Sequence, residues 1–444
     1  MGWMVYQLYQ LVVGVLFWVL FPCIFLGVLI SGKGRHGFFE RLGFYRGLAK
    51  KKTGTLRIWL HGASVGEVQA ARRLLEPLQI HFPDAEFVLT TMTVTGRDLG
   101  RRELAGTVSC YLAPLDVIGA ADMAIGRIDP DLYVCLETEL WPLLLKKLSG
   151  RGCKIGLANG RLSENACRSY RRAVWFFRRV LENFDAMALI SSLNRKYYLQ
   201  LGADPEKISV LGNVKYDLTL PVDHEAIRQR CETLLAKKQN ETVVVCGSTH
   251  TGEEELLLQL QQQMSGSSDC LFVFVPRHLE RLEAICQLFG DREIEFQLFS
   301  RLQAGEKRSS PVVLVDCMGE LFNLYSAADY VFCGGSLVDN GGHNIMEAAV
   351  WGRIVFYGPF MMDFLDATEL LEKAGGAFKV ERVEEIGERI TRFKKAPDEY
   401  EKSCESAREA ARSQEGASLR QAAILAGLID QSASCDGVVN KPSI

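Results

Sequence analysis

The chain has 444 residues, 48% of them hydrophobic and 24% charged, which is enough apolar material for two domains with cores of their own. A formal net charge of −3, with no basic stripe carrying interleaved aromatics beyond the first 30 residues, argues against nucleic acid as a partner. The 13 cysteines are scattered, with no C-x-x-C and no zinc-ligand spacing, a pattern that fits a reducing compartment and core thiols such as Cys135, Cys246 and Cys333.

Residues 1–30 contain no Asp, Glu, Lys, Arg or His. The stretch "LVVGVLFWVLFPCIFLGVLI" reaches the about 20 apolar residues that a membrane span requires, and Trp3, Tyr6, Tyr9 and Trp18 are available as interface anchors. The positive start and small-residue cleavage site of a signal peptide are missing, so the segment reads as a single N-terminal membrane helix. A surface-lying hydrophobic hairpin broken at Pro22 is the alternative. Residues 31–54 follow as a basic juxtamembrane segment, with Lys33, Arg35, Arg41, Arg46, Lys50, Lys51 and Lys52 against Glu40. By the positive-inside rule the rest of the chain is expected on the cytoplasmic side.

From residue 55 short apolar runs alternate with helical patterns. "TLRIWLHG", "AEFVLTTM", "TVSCYLAP", "DLYVCLET", "KIGLANG" and "AMALISS" read as strands, with helices over 67–81, 96–105, 116–127 and 140–149. This rhythm predicts an α/β domain with a doubly wound parallel sheet over 55–212. The segment 208–223, with Gly212 and Pro221, breaks it, and 213–223 reads as a hinge. A second doubly wound domain is predicted over 224–429, from "ETVVVCGST", "CLFVFVPRH", "PVVLVDCMGE", "ADYVFCGGSL" and "RIVFYGP". The polar tail 430–444 reads as disordered. Two such domains predict an active site in the cleft between them, beyond the carboxyl ends of the strands.

The second domain carries the features of a nucleotide site. In "CGGSLVDNGGHNIMEAAVWG" (333–352), Gly335 and Ser336 end a strand and a helix is expected from about Asn344. Glycines admit close backbone approach to a phosphate, and a helix N-terminus offers free N–H groups. Asn344 and Glu347 share a helix face, where the carboxylate suits ribose hydroxyls. Arg277 in "VPRH" suits phosphate or carboxylate, beside His278. Met318, Gly319 and Glu320 end a third strand, with backbone groups for a base edge, and Ser248 and Thr249 form a hydroxyl-rich turn at a fourth. The bland readings are a Gly-rich turn with an exposed glutamate, and a strand-end arginine in a surface ion pair. Neither a Walker motif nor a G-x-G-x-x-G after the first strand occurs, which argues against an ATPase or a dehydrogenase. The D-x-D at 129–131 reads as turn chemistry around Pro130.

In the first domain Glu67 ends the turn "HGASVGE" and Glu137 begins "ETELWP", at the carboxyl ends of two strands of one sheet. Two neighbouring carboxylates raise the pKa of one of them, whereas a helix N-terminus favours the ionised form of Glu67. An ionised carboxylate facing an acceptor hydroxyl is a general base. A simple helix-entry charge at Glu67, and a helix cap at Glu137 or Glu139, are the alternatives. Lys215 in "GNVKYD" stands at the hinge, either within reach of a leaving phosphate or as a solvated linker charge.

With these motifs in order, together with "YLAPLD", "NGRLSE", "GSTHTGEE" and "MGEL", the chain resembles the 3-deoxy-D-manno-octulosonic acid (Kdo) transferases of Gram-negative bacteria from its N-terminal helix to about residue 425. The resemblance implies the two-domain GT-B fold of Rossmann-like domains, with acceptor binding in the first and donor binding in the second. It implies CMP-Kdo as donor, the tetra-acylated phosphorylated disaccharide precursor of lipid A as acceptor, inversion at the anomeric carbon, and no cofactor or metal. It implies Glu67 as proton acceptor, Glu137 and Lys215 in transition-state stabilisation, and CMP contacts at Arg277, His278, Met318, Gly319, Glu320, Asn344, Ile345, Met346 and Glu347. An inner-membrane location, with the catalytic domains on the cytoplasmic face, follows from the same resemblance. The competing readings are a membrane-associated GT-B transferase using a UDP-sugar, a tethered nucleotide-sugar sensor and a sugar epimerase.

Overall fold

The computed structural model describes residues 2–31, 37–265 and 270–436. Lys33 and Arg35 of the basic segment, and residues 437–444 of the polar tail, lie outside them.

The chain divides into two compact units, one formed by Met1–Asp217 with Gly416–Ile444, the other by Leu218–Glu415. The first unit holds seven parallel strands: β1 (Arg57–His61), β2 (Glu86–Thr91), β3 (Val108–Leu112), β4 (Leu132–Leu136), β5 (Lys154–Gly160), β6 (Ala186–Leu189) and β7 (Ile208–Val210). Their order is β3-β2-β1-β4-β5-β6-β7. The strands run to either side of the β1/β4 boundary, which is the topological switch point of the sheet. β1, β4 and β6 are buried along their whole length, as expected of strands covered on both faces. One face is packed by Trp59, Tyr133, Leu145, Leu157 and Phe184, the other by Ile58, Leu60, Leu74, Leu78 and Val134.

The second unit repeats the plan with β8 (Thr242–Thr249), β9 (Cys270–Pro276), β10 (Gln297–Leu298), β11 (Val312–Leu314), β12 (Tyr330–Cys333), β13 (Ile354–Tyr357) and β14 (Ala377–Lys379). The order β10-β11-β9-β8-β12-β13-β14 puts its switch point between β8 and β12. Phe272, Phe274, Phe289, Phe332 and Phe356 dominate its core.

Four expectations change. First, the chain leaves unit one after Asp217 and returns at Gly416, so the helix Ala417–Asp436 belongs to unit one and not to the second domain. Asp217 holds that return, accepting from the backbone N–H of Gly416 at 2.7 Å and of Ser418 at 2.8 Å. Leu425 then packs against Gly156, where a Cβ would stand 2.2 Å from Leu425 Cδ2. Second, 430–436 are helical instead of an unstructured tail. Third, part of the expected hinge is structured. Residues 208–210 form β7 and Val214–Tyr216 a 3-10 turn whose N–H at Val214 donates to the buried Asn159. Fourth, the basic segment packs inward at several points. Leu42, Tyr45 and Leu48 are buried, Arg41 donates to the Met92 carbonyl, and Lys51 pairs with Asp131 at 2.6 Å. That pairing also gives the D-x-D its work, since Asp131 accepts from Arg57 N–H at 2.7 Å.

The N-terminal segment is one continuous helix, Gly2–Ser31, running through Pro22, so the broken hairpin is not formed. Among the described residues no helix is long and apolar enough to cross a membrane.

Candidate active site

Unit one gathers its carboxylates at the β1/β4 switch point. After β1 the chain turns through Gly62 into the helix Val65–His81, with Ser64 as N-cap accepting from Glu67 N–H at 3.4 Å. The Glu67 side chain folds back, accepting from Ala63 N–H at 2.6 Å and from the Ser64 hydroxyl at 3.0 Å. Together these bonds fix the carboxylate over the turn. Gly62 is required there, because a Cβ would stand 2.9 Å from the Glu67 Cβ. Glu67 is only 7% exposed. Burial above all, and then the charge of Glu137, push its pKa up, against the opposing bonds from Ala63 and Ser64. The expected depression by the helix N-terminus is therefore outweighed by desolvation.

Glu137 follows β4 in the left-handed region, at φ 56°, a conformation that costs a non-glycine residue of order 1 kcal/mol and persists where surrounding contacts impose it. Those contacts are Glu137 N–H to the Ala158 carbonyl at 3.0 Å and the Tyr198 hydroxyl to the Glu137 carbonyl at 3.3 Å. The Glu137 side chain is ion-paired with Lys215. Lys215 thus belongs to unit one and has a carboxylate partner, so the solvated linker charge does not describe it.

Neither Glu137 nor Glu139 caps the following helix. Asp116 does so, accepting from the N–H of Leu143 at 3.1 Å and of Leu144 at 2.7 Å. Glu139 instead accepts from Trp141 Nε1 at 2.9 Å, the same donor that lies 3.1 Å from His61 Nε2. His61 Nδ1 stands 3.0 Å from Thr90 Oγ1. His61 is fully buried beside the carboxylate group, and its place as the last residue of β1, at the carboxyl end of the strand, was the available signal for it.

Unit two gathers polar groups at the β8/β12 switch point. Gly334 packs so closely that a Cβ would lie 2.2 Å from the Ser248 carbonyl oxygen. The loop amides that the sequence assigns to a phosphate are taken. The buried Glu253 carboxylate accepts from the N–H of Gly335 at 2.7 Å, Ser336 at 3.0 Å and Leu337 at 3.0 Å, and from His250 N–H at 2.9 Å. Ser336 is fully buried and bonds Gly358 N–H at 2.9 Å, which makes it a fastening of this loop. Ser248, at φ 55°, is buried as well, while Thr249 keeps a buried hydroxyl without a partner among the described residues. Glu253 was not anticipated. An acid directly after the Gly252 turn, opening a helix, was its signal.

Arg277 and His278 are exposed at the end of β9, the neighbour of β8, with Arg277 N–H on the Thr249 carbonyl at 3.1 Å. His250 Nε2 lies 2.9 Å from His343 Nε2, and burial, followed by the positive Arg277, pushes His343 down to about 4. Asn344 and Glu347 do share a face, with 3.4 Å between Asn344 Nδ2 and Glu347 Oε1. The helix there is a single turn, Met346–Ala349, ended by Gly352 at φ 71°, so the long helix dipole inferred from the sequence is not available. Ile345 and Met346 are buried supports of that turn. Met318 is 70% exposed and Gly319 turns at φ 88°, leaving backbone groups accessible, while Glu320 pairs with Arg230 at 3.1 Å. Among the described residues no group of three or more His, Cys, Asp or Glu is placed to hold a metal.

Two parallel sheets of this order, each with polar groups at its own switch point, define a two-domain α/β protein of the GT-B class. The solved structures agree on the fold. UDP-GlcNAc 2-epimerase from Neisseria meningitidis matches with a TM-score of 0.54 at 15% identity over 85% of this chain and 100% of that one. A glycosyltransferase from Rickettsia africae matches with a TM-score of 0.50 at 14% identity over 87% and 100%. Residues 36–218 match the family model described as 3-deoxy-D-manno-octulosonic-acid transferase (kdotransferase). The 3-deoxy-D-manno-octulosonic acid transferase of Haemophilus influenzae is 31% identical over 82% of this chain and 85% of its own length. That of Chlamydia trachomatis serovar A is 31% identical over 84% and 86%. The chain belongs to the Kdo transferase family and is a glycosyltransferase.

Proposed function

We propose that the protein transfers Kdo from CMP-Kdo to the phosphorylated disaccharide precursor of lipid A, in lipopolysaccharide synthesis, with inversion and with Glu67 as general base. The observation that carries this reading is the state of Glu67. It is held by two short bonds at a sheet switch point, and burial raises its pKa toward the range in which a carboxylate takes a proton effectively. In this reading Glu67 removes the proton of the acceptor hydroxyl as the oxygen attacks the anomeric carbon, and CMP leaves with the bonding electrons. The Glu137–Lys215 pair fixes a positive charge beside the base, which favours the charge separation of the transition state. Arg277 and His278 bind the phosphate, the backbone at Met318–Glu320 reads the cytosine edge, and Asn344 with Glu347 holds the ribose. Ser248, Thr249, Gly335 and Ser336 shape the donor loop from beneath, fastened by Glu253.

We also assign the N-terminal helix as an inner-membrane anchor that keeps both units on the cytoplasmic face. It carries no charged residue, and Leu11, Val12, Val15, Leu16 and Val19 are exposed on it. Competition between CMP and UDP for the purified full chain tests the donor. CMP is expected to displace a CMP-based fluorescent probe at concentrations where UDP does not. Equal or stronger displacement by UDP would replace this donor with a UDP-sugar.

A further inference from the structure

Lys215 is ion-paired through its side chain, and what holds its backbone in place lies outside the motif that carries it. β4 and β5 run parallel with Leu136 opposite Ala158, so Glu137 and Asn159 are the next residues on neighbouring strands. Both are left-handed, at φ 56° and φ 53°. Asparagine tolerates that conformation better than most residues, and strained positions of this kind gather where function over-determines the backbone. Asn159 is fully buried. Its Oδ1 accepts at 3.0 Å from the N–H of Val214, the residue before Lys215. Its own N–H donates to Gln421 Oε1 at 2.8 Å. Its Nδ2 is buried without a hydrogen-bond partner among the described residues.

Gln421, on the last helix, is fully buried as well and completes the frame, with Nε2 donating to the Gly212 carbonyl at 2.7 Å. One glutamine of the returning helix therefore fastens both β5 and the segment that leads into the 3-10 turn Val214–Tyr216. Within that segment Asn213 Oδ1 accepts from Lys215 N–H at 2.9 Å. The Lys215 ammonium reaches Glu137, and a Cβ on Gly66 would stand 3.5 Å from its Nζ. The charge thus lies against the turn that carries Glu67. A turn needed only for packing is held by apolar contact, and the buried Val214 and Tyr216 already supply it. The two buried amides add direction, since hydrogen bonds fix an orientation that apolar contact leaves loose, and the frame bears the cost of an unpaired Nδ2.

We propose that Asn159 and Gln421 are positioning residues for the transfer, setting the 3-10 turn so that the Lys215 ammonium stands against both Glu137 and the turn of Glu67. The proposal rests on the role given to Lys215 in the proposed reaction, and the test separates the two. Full-length Asn159→Gly and Gln421→Met are compared with the wild type, each alone and combined with Lys215→Met. Glycine adopts the left-handed conformation freely, so the first variant removes the side chain without adding strain. Amine acetylation, read by mass spectrometry, is expected to modify Lys215 about fivefold faster in both single variants, with the other lysines unchanged. In the transfer assay kcat is expected to fall about tenfold at unchanged KM for CMP-Kdo, and this loss is expected to vanish in the Lys215→Met background. Two variants at different positions keep the test decisive where one of them does not fold. Unchanged labelling of Lys215, or an equal loss of kcat with and without Lys215, overturns the proposal and leaves the role of Lys215 standing. A Lys215→Met protein that transfers Kdo as fast as the wild type overturns both.

Discussion

Glu67 is pulled in two directions, and the balance has consequences that can be measured. Burial and Glu137 raise its pKa, so the folded chain holds this proton more tightly than the unfolded chain does. The stability it contributes is full below the ordinary carboxylate value of 4.5 and is lost as pH rises through the raised one. Glu67→Gln is therefore expected to raise the melting temperature at neutral pH and to leave it nearly unchanged in acid, as calorimetry at the two pH values would show. The acid limb of kcat/KM in the wild type should lie above the ordinary carboxylate range for the same reason. Glu137 and Lys215 form the second testable unit. Either Glu137→Gln or Lys215→Met leaves the other charge half-buried and alone, so each is expected to cost about 10²–10³ in kcat. The double variant should cost far less than the product of the two, and full additivity in the cycle would deny the coupling. The sequence showed these three residues through motif and strand-end position. It did not show their pairing, because the ion pair joins residues far apart in the chain, one just after β4 and the other in the 3-10 turn at 214–216 that packs on helix Val65–His81.

At the scale of elements, the loop after β12 is held by an acid and not opened for a phosphate. Glu253 accepts four backbone N–H groups from two segments and is fully buried. An amide in its place keeps one acceptor and turns an N–H₂ toward donors. Glu253→Gln is expected to destabilise unit two by about 1–3 kcal/mol and to weaken CMP binding, with kcat at saturating donor little changed. Titration calorimetry with CMP checks the binding, and a variant that binds CMP as the wild type does would remove Glu253 from donor-loop support. Local pattern made most elements legible, since β1–β6, β8, β9 and β11–β13 each lie within a longer mainly apolar run bounded by turn residues, as β11 does in "PVVLVDCMGE". The edge strands β7, β10 and β14 are two or three residues long and carry no periodicity of their own. The single turn at Met346–Ala349 looked longer because the apolar "AAVW" that follows Glu347 continues a helical pattern until Gly352 stops it.

For the whole molecule, alternation of strand and helix disclosed two doubly wound units, but not which unit owns the last helix. Chain order places Ala417–Asp436 after the second sheet; packing of Leu425 on Gly156, with Asp217 holding Gly416 and Ser418, places it on the first. No local signal announces such a return, because the partner surfaces are set by sheet geometry some 200 residues away. The central claim, a Kdo transferase with Glu67 as its base, is tested most directly by one assay. Wild type and Glu67→Gln, shown to be folded by melting temperature, are given CMP-Kdo generated in situ and the tetra-acylated lipid A precursor, and the products are weighed by mass spectrometry. The account predicts a Kdo-extended product from the wild type, whose mass counts the units added, and a rate at least about 10²-fold lower from the variant. Equal transfer by both proteins would contradict the assignment of the base, and no Kdo transfer by the wild type would contradict the proposed reaction.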